Sequence, residues 1–231
     1  MILALDTSTD MCGIALYRPA EGVLAEQSWL SGREQTTQLL PNVQRLMSLV
    51  NVHNSDLTGV AVATGPGSFS GVRIGISVAK SIAYALGLPI WGVPTLDVLA
   101  YQQVAVTAAQ VCAVLNAGRG RLAWALYRTR GTRWQRLTPY TNSTPQEMAE
   151  AVVQYESNVA TLFCGEINAE TAIVLREVAG KDAAIAPAAA AVRRAGYLAE
   201  LALQRSNRGE SDDVATLQPI YLQPPALVEA K

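Results

Sequence analysis

Asp6-Thr7-Ser8-Thr9 is the first stretch of this 231-residue chain whose residue types could do chemistry, a polar turn between apolar runs at 2–5 and 13–17. Backbone amides and hydroxyls in such a turn can hold a phosphate, while the carboxylate holds a hydrated metal. Local hydrogen bonding alone also favours Asp, Ser and Thr in turns. A second stretch, Gly65-Pro66-Gly67-Ser68-Phe69-Ser70-Gly71-Val72-Arg73, leaves an apolar run and enters a helical pattern. Its amides can cradle an anion at the helix N-terminus, or its glycines can let the helix press against a sheet. It is neither a Walker loop, lacking Gly-Lys-Ser/Thr, nor GxGxxG. In a third stretch, residues 98–146, there is no Asp or Glu, yet Arg119, Arg121, Arg128, Arg130, Arg133 and Arg136 are interleaved with Trp124, Tyr127, Trp134 and Tyr140. Such strands can follow an RNA backbone and stack bases, or carry charge along a solvated hairpin edge.

Composition removes other chemistries. Half of the residues are apolar, 16% are charged and the formal net charge is −1. That balance excludes a disordered polyelectrolyte and an all-over nucleic-acid binder, and the length suffices for one large domain or two small ones. The single histidine, His53, sits in a polar stretch and reads as a surface loop residue. With one histidine, most His-based metal sites and a Ser-His-Asp triad are out of reach. Cys12, Cys112 and Cys164 are scattered, which excludes a zinc ribbon or disulfide framework and fits a reducing compartment. The first apolar run is cut by Asp6 and has no basic lead, and the run at 183–192 contains Pro187. Neither a signal peptide nor a membrane span is expected, so the reading is a soluble cytoplasmic protein.

The elements that must position these stretches follow from periodicity. Strands are expected at 2–5, 13–17 and 23–29, then a helix burying Leu39, Val43, Leu46, Met47 and Val50, with Pro41 awkward inside it. A strand at 60–63, a helix at 70–86, a strand at 90–93 and a helix from Thr95 to Gln103 complete the first half. The second half reads as strands at 111–115, 122–128 and 134–140, a helix opened by Ser143-Thr144-Pro145, a strand at 159–164, a helix at 169–178, a strand at 183–186 and a long helix at 188–205. Both halves therefore run βββαβα, then strand and helix. This predicts two α/β lobes joined near residues 104–110, with a ligand or partner in the cleft between them.

The helix at 70–86 carries a ridge of small residues, Gly71, Gly75, Ala79 and Ala83, beside Ile74, Val78, Ile82 and Leu86. Helical glycine costs about 1 kcal/mol against alanine, so close approach to another element should offset it. The chain's own sheet and a second chain are equal candidates.

Taken together, Ile2-Leu3-Ala4-Leu5-Asp6-Thr7-Ser8-Thr9, Arg33-Glu34 ahead of Leu39-Leu40-Pro41, the Gly65–Gly75 stretch, Gly92-Val93-Pro94-Thr95-Leu96 and Pro219-Ile220-Tyr221-Leu222 resemble the TsaB (YeaZ) family. The resemblance runs along nearly the whole chain and is densest over its first hundred residues. It implies the two-lobed ASKHA (actin-like ATPase, RNase H-like) α/β fold, with a first lobe at 1–105 carrying the dimerisation helices. The second, more divergent lobe would span 106–231, its C-terminal helix and tail packing back on the first. It implies a non-catalytic subunit of the complex that forms N6-threonylcarbamoyladenosine at A37 of tRNAs, partnered by TsaD and the ATPase TsaE. Alone it would be a homodimer, with tRNA met only through the complex. The implied partner surface is Arg33, Leu39, Leu40, Val43, Phe69, Gly71, Val72, Arg73, Gly75, Ile76, Ala79 and Lys80, with Val72 and Ile76 as exposed test positions. Asp6, Thr7 and Ser8 would be a vestigial phosphate turn.

The sequence also departs from the family. Gln35 stands where relatives often carry His, and Asn116-Ala117-Gly118-Arg119 where they read Asp-Ala-Arg. The catalytic paralogue TsaD holds its metal with two histidines four apart; Thr95 and Leu99 stand at those places, so no metal or other cofactor is expected. An ATP-dependent phosphotransferase using Asp6 and Thr7 is the alternative reading. A glycoprotease-like hydrolase fares worst, because it needs the metal.

Overall fold

The computed structural model describes residues 1–32, 34–103, 110–130, 133–155, 159–180 and 183–222. The chain divides into Met1–Val98 with Val192–Ile220, and Leu99–Ala191 with the segment from Tyr221. The expected joint at 104–110 lies, except for Gln110, outside the described residues.

In the first unit, β1 (Ile2–Asp6), β2 (Met11–Arg18) and β3 (Gly22–Leu30) form an antiparallel meander, and β4 (Gly59–Ala63) and β5 (Ile90–Val93) add in parallel, giving the order β3-β2-β1-β4-β5. Side chains alternate across this sheet. Leu3, Leu5, Ile14, Leu16, Val60 and Val62 share one core with Leu39, Val43 and Leu46 of α1 (Gln35–Leu49) and with Val72, Ile76, Ala79 and Ala83 of α2 (Phe69–Leu86). The intervening residues on the other face are small, among them Ala4, Gly13, Ala15 and Ala61. There the buried Ala195, Gly196, Leu198, Ala199, Leu201 and Ala202 of α6 (Ala195–Asn207) pack. Helix α1 runs through the exposed Pro41 unbroken. Helix α2 starts on Ser68, whose hydroxyl accepts from Gly71 N at 3.3 Å, and stops at Gly87 in the left-handed region.

The second unit repeats the order. Strands β6 (Gln110–Gly118), β7 (Arg121–Arg130), β8 (Arg133–Arg136), β10 (Thr161–Gly165) and β11 (Ala183–Ile185) give β11-β10-β6-β7-β8. Helices α4 (Pro145–Tyr155) and α5 (Ala169–Ala179) cover one face, while α3 (Thr95–Tyr101) spans the division between the units.

Two expectations need correction. The strand expected at 134–140 breaks into β8 and β9 (Thr141–Ser143), which pair with successive parts of β7. Between them, Leu126 N bonds the Thr138 hydroxyl instead of a carbonyl, and Pro139 has no N–H to give the ladder. The helix expected at 188–205 is a 3-10 turn, Ala188–Ala191, followed by α6. The break at residues 192–194 lets Arg193 turn inward.

Candidate functional site: a closed turn beneath a helical layer

The turn after β1 is fully enclosed. Asp6, Thr7, Ser8 and Thr9 are all buried, and each of their side chains is hydrogen-bonded inside the same unit. One carboxylate oxygen of Asp6 accepts from the Ser8 amide at 2.8 Å and its hydroxyl at 2.5 Å. The other accepts from Arg193 Nε at 2.8 Å. Arg193 also donates to the Thr9 hydroxyl at 2.7 Å and the Met11 carbonyl at 2.9 Å. The Thr7 hydroxyl donates to Gly71 O at 2.7 Å.

The glycine loop closes the other side. Ser68 N bonds Ser8 O at 2.6 Å, and a Cβ at Gly67 or Gly71 would overlap the Ser8 or Thr7 carbonyl. A Cβ at Gly75 would strike the Thr7 hydroxyl. The small-residue ridge of α2 therefore faces the chain's own β1 turn and sheet, which resolves the two sequence alternatives. In the Asp6-Thr7-Ser8 turn, expected as a vestigial phosphate turn, the polar side chains face an arginine and a helix backbone at hydrogen-bond distance. Arg193 was missed in the sequence. Its only signal there is a pair of charges, Arg193-Arg194, inside an otherwise apolar run.

The expected partner surface separates into two sets. Leu39, Val43, Gly71, Val72, Gly75, Ile76 and Ala79 are buried in the first unit, so Val72 and Ile76 are core positions and not exposed ones. Lys80 reaches the Ala215 and Leu217 carbonyls at 3.0 and 3.1 Å, holding the segment that follows α6. Arg33 lies outside the described residues. Outward-facing are Leu40, 46% exposed, and Phe69, 59% exposed, with the Arg73 guanidinium 3.7 Å above the Phe69 ring. Helices α1 and α2 pack side by side, so these residues belong to one helical layer.

Thr95 and Leu99 are also internal. The Thr95 hydroxyl accepts from Gly65 N at 3.1 Å, and Leu99 lies 3.1 Å from where a Cβ at Gly165 would be. Burial pushes the Cys164 thiol up to about 12 and raises Cys112 well above the usual range, so neither is a nucleophile at neutral pH. The aromatic residues of the basic stretch are largely inside. Tyr127 is buried, Trp124 is buried and bonds the Ser143 hydroxyl at 2.9 Å, and Trp134 packs on Tyr101 and Tyr127. Arg136 covers the Tyr140 ring at 4.0 Å. Base stacking on Trp124 and Tyr127 is thus unavailable.

The duplicated sheet order is that of the two-lobed ASKHA class. A ROK family protein from Streptococcus pneumoniae shares this fold alone, at a TM-score of 0.51 and 12% identity over 89% of this chain and 99% of that one. A family model described as "TsaD: tRNA N6-adenosine threonylcarbamoyltransferase" matches residues 16–230. The chain is 30% identical over 229 residues to the tRNA threonylcarbamoyladenosine biosynthesis protein TsaB of Escherichia coli, covering 96% of this chain and 94% of that one. It is 31% identical over 222 residues to the Bacillus subtilis TsaB, covering 96% and 93%. YeaZ from Pseudomonas aeruginosa superimposes with a TM-score of 0.80 at 26% identity, over 96% of this chain and 99% of that chain. The chain belongs to the TsaB (YeaZ) family.

Proposed function

We propose that the chain serves tRNA threonylcarbamoyladenosine biosynthesis as a non-catalytic subunit, binding TsaD, working with TsaE and meeting tRNA only through the assembled complex. The observation that carries the non-catalytic reading is the closed Asp6 turn. Both oxygens of this carboxylate are engaged, one by the Ser8 amide and hydroxyl and the other by the Arg193 guanidinium, which neutralises the charge that would orient a metal-bound phosphate. The same observation disfavours the phosphotransferase alternative.

Partner binding is assigned to the outer face of α1 and α2, with Leu40, Phe69 and Arg73 as anchors. Their buried neighbours on the same helices fix the layer against the sheet, so the exposed side chains are presented rigidly. One face serves a second copy when the chain is alone and TsaD in the complex. The test is a Leu40→Asp/Phe69→Ser double variant, followed by light scattering and TsaD pull-down, with circular dichroism as the folding control. Dimerisation and TsaD binding should each weaken by a hundredfold or so, two lost apolar anchors at about 1.4 kcal/mol per tenfold. Ile173→Ser, on the exposed side of α5, should leave both unchanged. A folded double variant that still binds TsaD overturns the assignment, and ATP turnover by the isolated wild-type chain overturns the non-catalytic reading.

A further inference from the structure

Arg193 lies at the point where the chain re-enters the first unit, between the 3-10 turn and α6. Its guanidinium is buried beside Asp6 and touches a particular set of atoms: a carboxylate oxygen, a threonine hydroxyl and a main-chain carbonyl, at 2.7–2.9 Å. These are all oxygen acceptors, the ligand class that hard divalent cations select. Neither Thr9 nor Met11 needs a charged partner, yet both converge with Asp6 on one cation. A hydrated ion and the guanidinium cannot share that space, and two positive charges there would repel. The turn as built therefore does not fit a metal, and the residue that excludes the metal supplies its charge.

We propose that Arg193 is a built-in counter-ion occupying the seat of a divalent cation in the Asp6 turn, and that removing its side chain uncovers a cation site made by Asp6, Thr9 and Met11. The guanidinium is tethered through its own backbone to α6, so it also staples that helix to the end of β1, which an exchangeable ion would not do. The consequence is that the first unit closes around this turn without metal or nucleotide.

The experiment uses the full chain, wild type and Arg193→Ala, melted with and without millimolar Mn2+ against a potassium control of equal ionic strength. Mn2+ binding is read independently from the loss of the free-ion electron paramagnetic resonance signal. Wild type should show no Mn2+-specific shift. Arg193→Ala should melt about 10 °C lower, because Asp6 is left buried and unpaired, and Mn2+ should restore about half of that loss. The Asp6→Asn/Arg193→Met variant carries neither charge. It should melt within a few degrees of wild type and ignore Mn2+. If Arg193→Ala folds only with the ion present, refolding in Mn2+ but not in potassium supports the proposal, and failure in both overturns it. So do an Arg193→Ala melt equal to wild type, a Mn2+ response no larger than that of the double variant, or a double variant as unstable as the single.

Discussion

The turn between β1 and β2 and its counterpart between β6 and β7 occupy equivalent places in the two sheets, and they are built on opposite principles. In the first unit the helix-bearing loop after β4 comes down on the turn with bare backbone, through Gly67 and Gly71. The polar residues beneath it are sealed from water, so each needs an internal partner, and a buried carboxylate needs a cation. In the second unit the loop after β10 meets β6 before the turn, Glu166 N donating to Val114 O at 2.9 Å, and reaches the end of the strand with a side chain, Glu166 Oε2 accepting from Asn116 N at 3.0 Å, while nothing lies within 4 Å of a Cβ at Gly118 or Gly120. There the β6–β7 connection stays exposed, closed by Arg119-Gly120 with both residues at positive φ, the two-residue hairpin that matches strand twist. Equivalent topology does not carry equivalent chemistry; the distance of closest backbone approach decides whether a turn is wet or dry.

The largest effect that sharpens this contrast is electrostatic. Asp6→Ala strands the Arg193 guanidinium in the interior and should cost about 3–5 kcal/mol in urea unfolding. Asn116→Ala, at an exposed position of the other connection, should cost less than about 0.5 kcal/mol. Equal costs would break the comparison. Steric effects come next. Gly71→Ala drives a methyl into the Thr7 carbonyl, which cannot move without moving β1, and should cost about 2–3 kcal/mol. Gly120→Ala meets open space and pays only for its positive φ, about 1 kcal/mol.

The smallest effect concerns the strap after α6 in the first unit. Asp212 accepts from Gly92 N at 2.6 Å and pairs with Arg205 at 2.7 Å, while Trp91 Nε1 donates to Glu210 O at 2.6 Å. Burial pushes the Asp212 carboxyl up, but the Arg205 bond and the Gly92 amide outweigh it and hold the group below its usual value. A depressed carboxyl contributes its stability above its unfolded pKa and loses it as pH falls through the folded one. The Trp91 indole N–H resonance should therefore hold constant down to about pH 4 and shift only below it. Asp212→Asn should shift it at neutral pH; an unmoved resonance would detach the strap from this clamp.

The strands and helices were legible because period-2 and period-3.6 patterns are local properties. The helix expected at 70–86 is α2, which starts one residue earlier and ends at the same Leu86. The duplicated βββαβα order was legible for the same reason, and the Gly-Pro-Gly-Ser-Phe motif carried the family. The orientation of α2 was not. Its small ridge is compatible with any close neighbour, and only the sheet order, with β1 beside β4, puts Thr7 beneath Gly71 and Gly75. Val72 and Ile76 were mistaken for surface residues because a helix hydrophobic on most sides does not announce which side is covered. Arg193 was illegible for a stronger reason. Its partner Asp6 lies 187 residues away, and nothing local records that the chain returns to its first sheet. Sequence alone determined most of the elements, their order and the glycines needed for close approach, because those depend on neighbours along the chain. Tertiary structure alone decided which carboxylate meets which cation, since burial and charge pairing depend on neighbours in space.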